Sequence, residues 1–137
     1  MFQHVLVPVD LTDRNRRALE AAARLASPDG EVTLLHVIET LDLPFDELED
    51  FYQRLHDRAQ AGMDRMTEPL SASEVGVIQR VSYGSRLREI LSYAEENETD
   101  LIVMSSRRLD PSEAPTGFAT LSHQVAILSQ VPVLLVK

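Results

Sequence analysis

Cysteine and tryptophan are both absent from this chain, and aromatic residues make up only 5% of it. Without cysteine there is no disulfide framework, no thiolate chemistry and no cysteine-ligated zinc. With so few aromatic rings the core has to be built from Val, Leu, Ile and Ala. No apolar run approaches the roughly 20 residues that a membrane helix needs. The opening Met1-Phe2-Gln3-His4 also lacks the basic start and long apolar stretch of a secretory signal. These absences argue against a membrane span and make the cytoplasm the expected location.

Positive charge is scarce as well. Thirteen Lys and Arg face 22 Asp and Glu, for a net charge of −9, and Lys137 is the only lysine. A field of that sign repels phosphate backbones, which argues against general nucleic-acid binding. Residues 39–50 hold Glu39, Asp42, Asp46, Glu47, Glu49 and Asp50 without one base. Acids placed near the positive end of a helix dipole give a solvated helix start; a docking surface for a basic partner is the sharper alternative.

What is present is the balance of a folded domain. The 137 residues are 44% apolar and 26% charged, and about 100–150 residues is the usual size of one domain, so residues 1–137 are read as a single unit. Val5-Leu6-Val7-Pro8-Val9 is a continuous apolar run, the pattern of a strand covered on both faces. Residues 13–26 follow with helical spacing and with Thr12 or Asp13 as N-cap. Ser27-Pro28-Asp29-Gly30 has the composition of a turn, with Gly30 available for positive φ. Residues 32–37 read as a second strand. Phe45, Leu48, Tyr52, Leu55, Ala59, Met63 and Met66 then recur at steps of three or four, one apolar stripe on a long helix. Residues 75–83 form a third, less buried strand, and Ser85 caps the helix after it. Residues 101–104 form a fourth strand, entirely apolar. The polar segment 105–116 leads to a last helix opening at Gly117 or Thr120, and residues 131–136 close the pattern as a fifth strand. Strict β-α alternation requires a parallel sheet with helices on both faces, joined by right-handed crossovers.

In such open sheets ligands sit where the winding direction reverses, at the carboxyl ends of the strands. That singles out the segments after strands one and four. Asp10, following Pro8 and Val9, could accept hydrogen bonds from a ribose or base, or could cap the next helix. After Met104 come Ser105, Ser106, Arg107 and Arg108, and further on Gly117, Ala119 and Thr120 at a helix start. Small residues let a backbone approach phosphate, helix N-terminal amides point at its oxygens, and arginine adds forked donors. Equally, the two arginines could neutralise Asp110 and Glu113 within a loop. His36, inside an apolar strand, reads as a satisfied core histidine, and His123, beside Ser122, as a surface one.

The segments HVLVPVDLTDRNRRAL, LLHVIE, DLIVMSSRR and the closing VPVLLVK resemble, in order and spacing along the whole chain, the universal stress protein family. The resemblance implies a five-stranded α/β sheet in the order 3-2-1-4-5, frequent homodimerisation through the last strand and, in some members, ATP binding. The family's nucleotide motif is Gly, two residues, Gly, nine residues, then Gly with Ser or Thr. Here Ser105 and Arg108 stand at the first two glycines and Ala119-Thr120 at the last pair, with one extra residue between. By resemblance, Asp10 and the backbone of Val37 would meet the adenine end, and Ser105, Arg107, Ala119 and Thr120 the phosphates. The implied ligand is ATP or another adenine nucleotide, with room for Mg²⁺ beside it. The alternative is a member without nucleotide that acts as a protein-interaction module.

Other readings fail on chemistry. A phosphoacceptor receiver needs a second acid beside Asp10 and an Asp ending strand three; the chain has Leu11-Thr12 and Ser82-Tyr83-Gly84 there. The P-loop pattern is missing, no two histidines share a metal-ligand spacing, and no histidine is placed to serve a serine nucleophile. The chain therefore reads as no enzyme, slow ATP hydrolysis being left open. The apolar edge strand at 131–136 is a liability unless covered, and pairing with a second copy under two-fold symmetry covers both; Pro132 centres that pairing on residues 133–136.

Overall fold

Continuous burial along the central strands explains how the chain layers itself. A computed structural model describes residues 1–40, 48–108 and 120–137. Its strands are β1 (Phe2–Pro8), β2 (Ala26–Ile38), β3 (Gly76–Tyr83), β4 (Leu101–Ser105) and β5 (Val133–Val136), and its helices α1 (Arg16–Leu25), α2 (Glu49–Thr67), α3 (Arg86–Glu96) and α4 (Leu121–Leu128). All pairings are parallel and the sheet order is β3-β2-β1-β4-β5, as the sequence implied. Val5, Val7, Val32, Leu34 and Val103 join Ala18, Leu19 and Ala22 of α1 and Met63 of α2 in one core. Leu6, Leu35, Val37, Ile102 and Met104 join Ile90 and Ala94 of α3 and Val125 of α4 in the other. Successive residues of a strand point to opposite faces, so strands covered on both sides need apolar residues in succession, as at Val5-Leu6-Val7, Leu34-Leu35 and Leu101-Ile102-Val103-Met104.

The helical stripe on α2 is buried or half-buried at Tyr52, Leu55, Ala59, Met63 and Met66, while Phe45 lies outside the described residues. The helix starts at Glu49 rather than farther upstream. β3 contains no fully buried residue, matching its weaker pattern, and β5 spans Val133–Val136, shorter than the stretch expected.

Two local expectations need correction. Ser27–Gly30 is no turn between separate elements: β2 already begins at Ala26, which pairs with Phe2, and pairing resumes at Glu31 opposite His4. The four residues form a bulge, a local excess of residues on one strand. Gly30 lacks positive φ; an added Cβ would lie 3.0 Å from the Phe2 and Gln3 carbonyl oxygens, so a larger residue needs that backbone to give by a few tenths of an ångström. Similarly, Thr12 does not cap α1 through its side chain. The chain enters through a 3-10 turn, Asp13–Asn15, and Thr12 bonds back to Asp10. Ser85 flanks α3 likewise without a side-chain cap bond.

Gly30→Ala should lower stability by about 1–3 kcal/mol, the usual cost of overpacking against fixed backbone. Urea denaturation measures it directly; an unchanged midpoint would show that the bulge yields freely.

Candidate functional site

The crevice originates in the backbone of β1. Val9 N–H donates to Leu35 of β2, whereas the His4 carbonyl accepts from Asp100, just before β4. Odd residues of β1 therefore address β2 and even residues address β4. Pro8 is even and has no N–H to donate. Correspondingly, β1 pairs with β2 as far as Pro8 but with β4 only at Val5–Leu101 and Leu6–Ile102. Beyond Leu6 the two central strands part, and helices leave on opposite faces of the sheet, the arrangement in which α/β proteins bind ligands.

The chain after β1 is held in one shape. Asp10 Oδ1 accepts from the Thr12 amide at 3.0 Å and from the Thr12 hydroxyl at 2.6 Å. Leu11, enclosed by this turn, takes φ 69°, the left-handed region in which a branched apolar residue is strained. Asp10 Oδ2 lies 3.6 Å from Arg14. Partial burial works against ionisation of Asp10, but the Thr12 hydroxyl and amide and the Arg14 charge outweigh it and hold the carboxyl below its ordinary value.

Asn15 links this turn to β4. Its side chain is 3% exposed. Asn15 Oδ1 accepts from Asp10 N–H at 3.0 Å, and Nδ2 donates to Ser105 Oγ at 3.3 Å. Ser105 Oγ in turn donates to the Arg14 carbonyl at 3.0 Å. Opposite, the Val9 carbonyl accepts from His36 Nδ1 at 2.9 Å, and since a carbonyl only accepts, Nδ1 carries the ring proton.

Past Ser105 the β4–β5 ladder continues one step, Ser106 N–H donating to the Val136 carbonyl at 2.8 Å. Ser106 is buried, and its Oγ receives bonds from Ser122 Oγ at 3.3 Å and Lys137 Nζ at 3.1 Å. Lys137 Nζ also reaches the Arg107 carbonyl at 3.2 Å, and Arg17 of α1 donates to the Lys137 carbonyl at 2.7 Å. Thr120, which precedes α4, shares a hydrogen bond with His123 Nδ1.

These groups line a cleft of about 1050 Å³. Of the residues singled out in the sequence, Pro8, Val9, Asp10, Val37, Met104, Ser105, Arg107, Arg108 and Thr120 all border it. Gly117 and Ala119 lie outside the described residues, as do Asp110 and Glu113. His36 and His123 also line the cleft; both are half-buried, so the surface reading of His123 is corrected. Sequence reasoning missed Asn15, Arg14, Arg17, Arg86 and Lys137. Among the described residues no three His, Asp or Glu converge as a metal-ligand set, and no helix is long and apolar enough to cross a membrane.

The sequence pattern of the universal stress protein family matches residues 1–137, the full length of the chain. The chain belongs to this family. Universal stress protein YxiE of Bacillus subtilis is 31% identical to it over 150 residues, with all of both chains covered. Among solved structures, universal stress protein UspA from Lactobacillus plantarum superposes with a TM-score of 0.77 at 20% identity, covering 98% of this chain and 97% of its own. A universal stress protein family member from Arabidopsis thaliana, solved with AMP bound, gives 0.68 at 17% identity over 98% and 91%. At those identities the likeness establishes the shared α/β fold of this universal stress protein.

The linkage at Asp10 has a definite sign. A carboxyl that titrates lower when folded contributes stability that is complete above its unfolded value, near 3.8, and is lost as pH falls through the folded value. Urea midpoints of the wild type and Asp10→Asn should therefore differ at neutral pH and converge in acid; parallel curves throughout would mean that the Thr12 and Arg14 contacts contribute nothing. Asn15→Ala should cost about 1–3 kcal/mol, the range for a buried polar group left without its partner, measured in the same way.

Proposed function

We propose that this universal stress protein binds an adenine nucleotide in the cleft between β1 and β4 and acts as a homodimeric regulatory protein rather than an enzyme. The observation that carries the proposal is the convergence, around one opening, of an apolar wall, a fixed carboxylate and exposed guanidinium groups. Val37 and Met104 are buried apolar side chains at strand ends, suited to a purine face. Asp10, at the end of β1, suits ribose hydroxyls. Arg107 and Arg108 are exposed after β4, and Thr120 is the residue just before α4, whose N-terminal amides favour phosphate oxygens. The AMP-bound Arabidopsis relative supports the same use of the fold. By sequence, Gly117 and Ala119 belong to the phosphate end as well.

Dimerisation follows from the sheet edge. β5 is the last strand, Leu134 on it is 38% exposed, and Ile127 and Leu128 of α4 are 70% and 52% exposed. Edge pairing of residues 131–136 with a second copy would cover this surface and satisfy the open backbone groups.

Calorimetric titration of the purified chain should show saturable binding of ATP, ADP or AMP. Asp10→Ala and Thr120→Ala should each weaken it about tenfold, or ~1.4 kcal/mol, with the circular dichroism spectrum retained. Absence of saturable binding at millimolar nucleotide overturns the proposal in favour of a ligand-free interaction module. Light scattering at tens of micromolar should return a dimer, and Leu134→Glu a monomer; a monomeric wild type removes the edge pairing.

A further inference from the structure

We infer that the cleft takes its nucleotide as a metal-free polyanion, with Lys137 and Arg107 supplying the countercharge that Mg²⁺ would otherwise carry. Resting on the adenine-nucleotide reading above, this names the ionic form of the ligand. The first observation is the distribution of charge. The chain carries nine more acids than bases, yet seven of its thirteen Lys and Arg side chains line this one cleft, against three carboxylates among the described residues. Its single lysine is one of the seven.

The second observation is which charges are already neutralised. Asp10 Oδ1 is engaged twice by Thr12, and Oδ2 faces Arg14. Glu39 Oε1 is held by Arg86 at 2.7 Å. These are two of the three carboxylates at the cleft, Asp13 being the third, and each already faces an arginine. The cations at the opposite end differ: Lys137, Arg107 and Arg108 have no carboxylate partner among the described residues. Lys137 Nζ is nonetheless fixed, by Ser106 Oγ and the Arg107 carbonyl. An ammonium has three donors, so one is left for a ligand, and the head group is positioned before any ligand arrives.

Mg²⁺ demands octahedral oxygen ligands, keeps several waters and usually leans on one or two protein carboxylates beside the phosphates. The residues here do not fit it. Two of the three described carboxylates at the cleft already face an arginine, and the cations that have no carboxylate partner among the described residues would repel a divalent cation. Uncomplexed ATP carries two more negative charges than its magnesium complex and gains correspondingly more from a fixed ammonium and guanidinium.

The test is calorimetric titration of the full chain with ATP at low ionic strength, once with a chelator and once with saturating Mg²⁺. Binding should be several-fold tighter in chelator, and in chelator should weaken from ATP to ADP to AMP. Lys137→Gln should lower the metal-free affinity about tenfold and shrink the preference, and Arg107→Gln should act in the same direction. Arg24→Gln, remote from the cleft, should change neither. Equal or tighter binding with Mg²⁺, or metal-free affinity unchanged in both Lys137→Gln and Arg107→Gln, overturns the inference while leaving nucleotide binding intact. No saturable binding in either condition overturns the nucleotide reading itself, and the inference with it.

Discussion

The buried side chain of Asn15 is the joint on which the shape of the cleft depends. Pro8 withholds the donor that would continue β1 along β4, so beyond Leu6 the two central strands have no ladder between them. Asn15 replaces that ladder with a side-chain bridge, accepting from Asp10 and donating to Ser105. An amide side chain can do both at once, which neither a carboxylate nor a hydrocarbon can. Ser105, small enough to fit and able to donate onward to the Arg14 carbonyl, closes the circuit. The result is a hydrogen-bonded link between the two strand ends at the point where the ladder between them stops.

The same circuit explains the strain at Leu11. Its left-handed backbone is held by the two bonds that Thr12 makes to Asp10, while its side chain packs against Gly62 of α2. The same turn folds the Asp10 carboxylate onto Thr12 and toward Arg14, so it braces the chain between β1 and α1 without capping the helix. Thr12 spends its hydroxyl on the turn, which is why α1 begins without a side-chain cap and through a tighter 3-10 entry.

The layered architecture was legible in the sequence because it depends on periodicity, and periodicity is local. Val5, Leu6, Val7, Ile102 and Val103 read as doubly covered strands because both faces of a parallel sheet must be apolar. The Tyr52–Met66 stripe read as a single buried helix face for an equally local reason. The switch point was legible too, which is why Asp10, Ser105, Arg107 and Thr120 lie around one opening. Residues whose roles depend on distant partners were not. Asn15 carries no signal beyond being polar near a helix start. Lys137 reads as an ordinary terminal charge until β5 places it over Ser106. Gly30 reads as a turn glycine until β1 brings two carbonyls against its Cα. His123 reads as exposed until Thr120 and the cleft wall enclose it.

Net charge is the sharpest instance of that limit. A chain with an acid excess of nine should repel an anion, and far from the surface its field does. Within about 10 Å, where ions in solution no longer screen an interaction, what matters is which charges are local and uncommitted. Arg14 and Arg86 answer Asp10 and Glu39, two of the three acids at the cleft, while Lys137, Arg107 and Arg108 beyond β4 and β5 have no carboxylate partner among the described residues. The acidic surface then acts on selectivity rather than affinity. It would penalise long polyanions such as nucleic acids, whose phosphates must extend past the cleft, and would spare a small nucleotide of the kind proposed above, which ends within it. A fold that gathers seven of its thirteen cations around one cleft would thus separate two classes of phosphate ligand by length, beyond any contact to base or sugar.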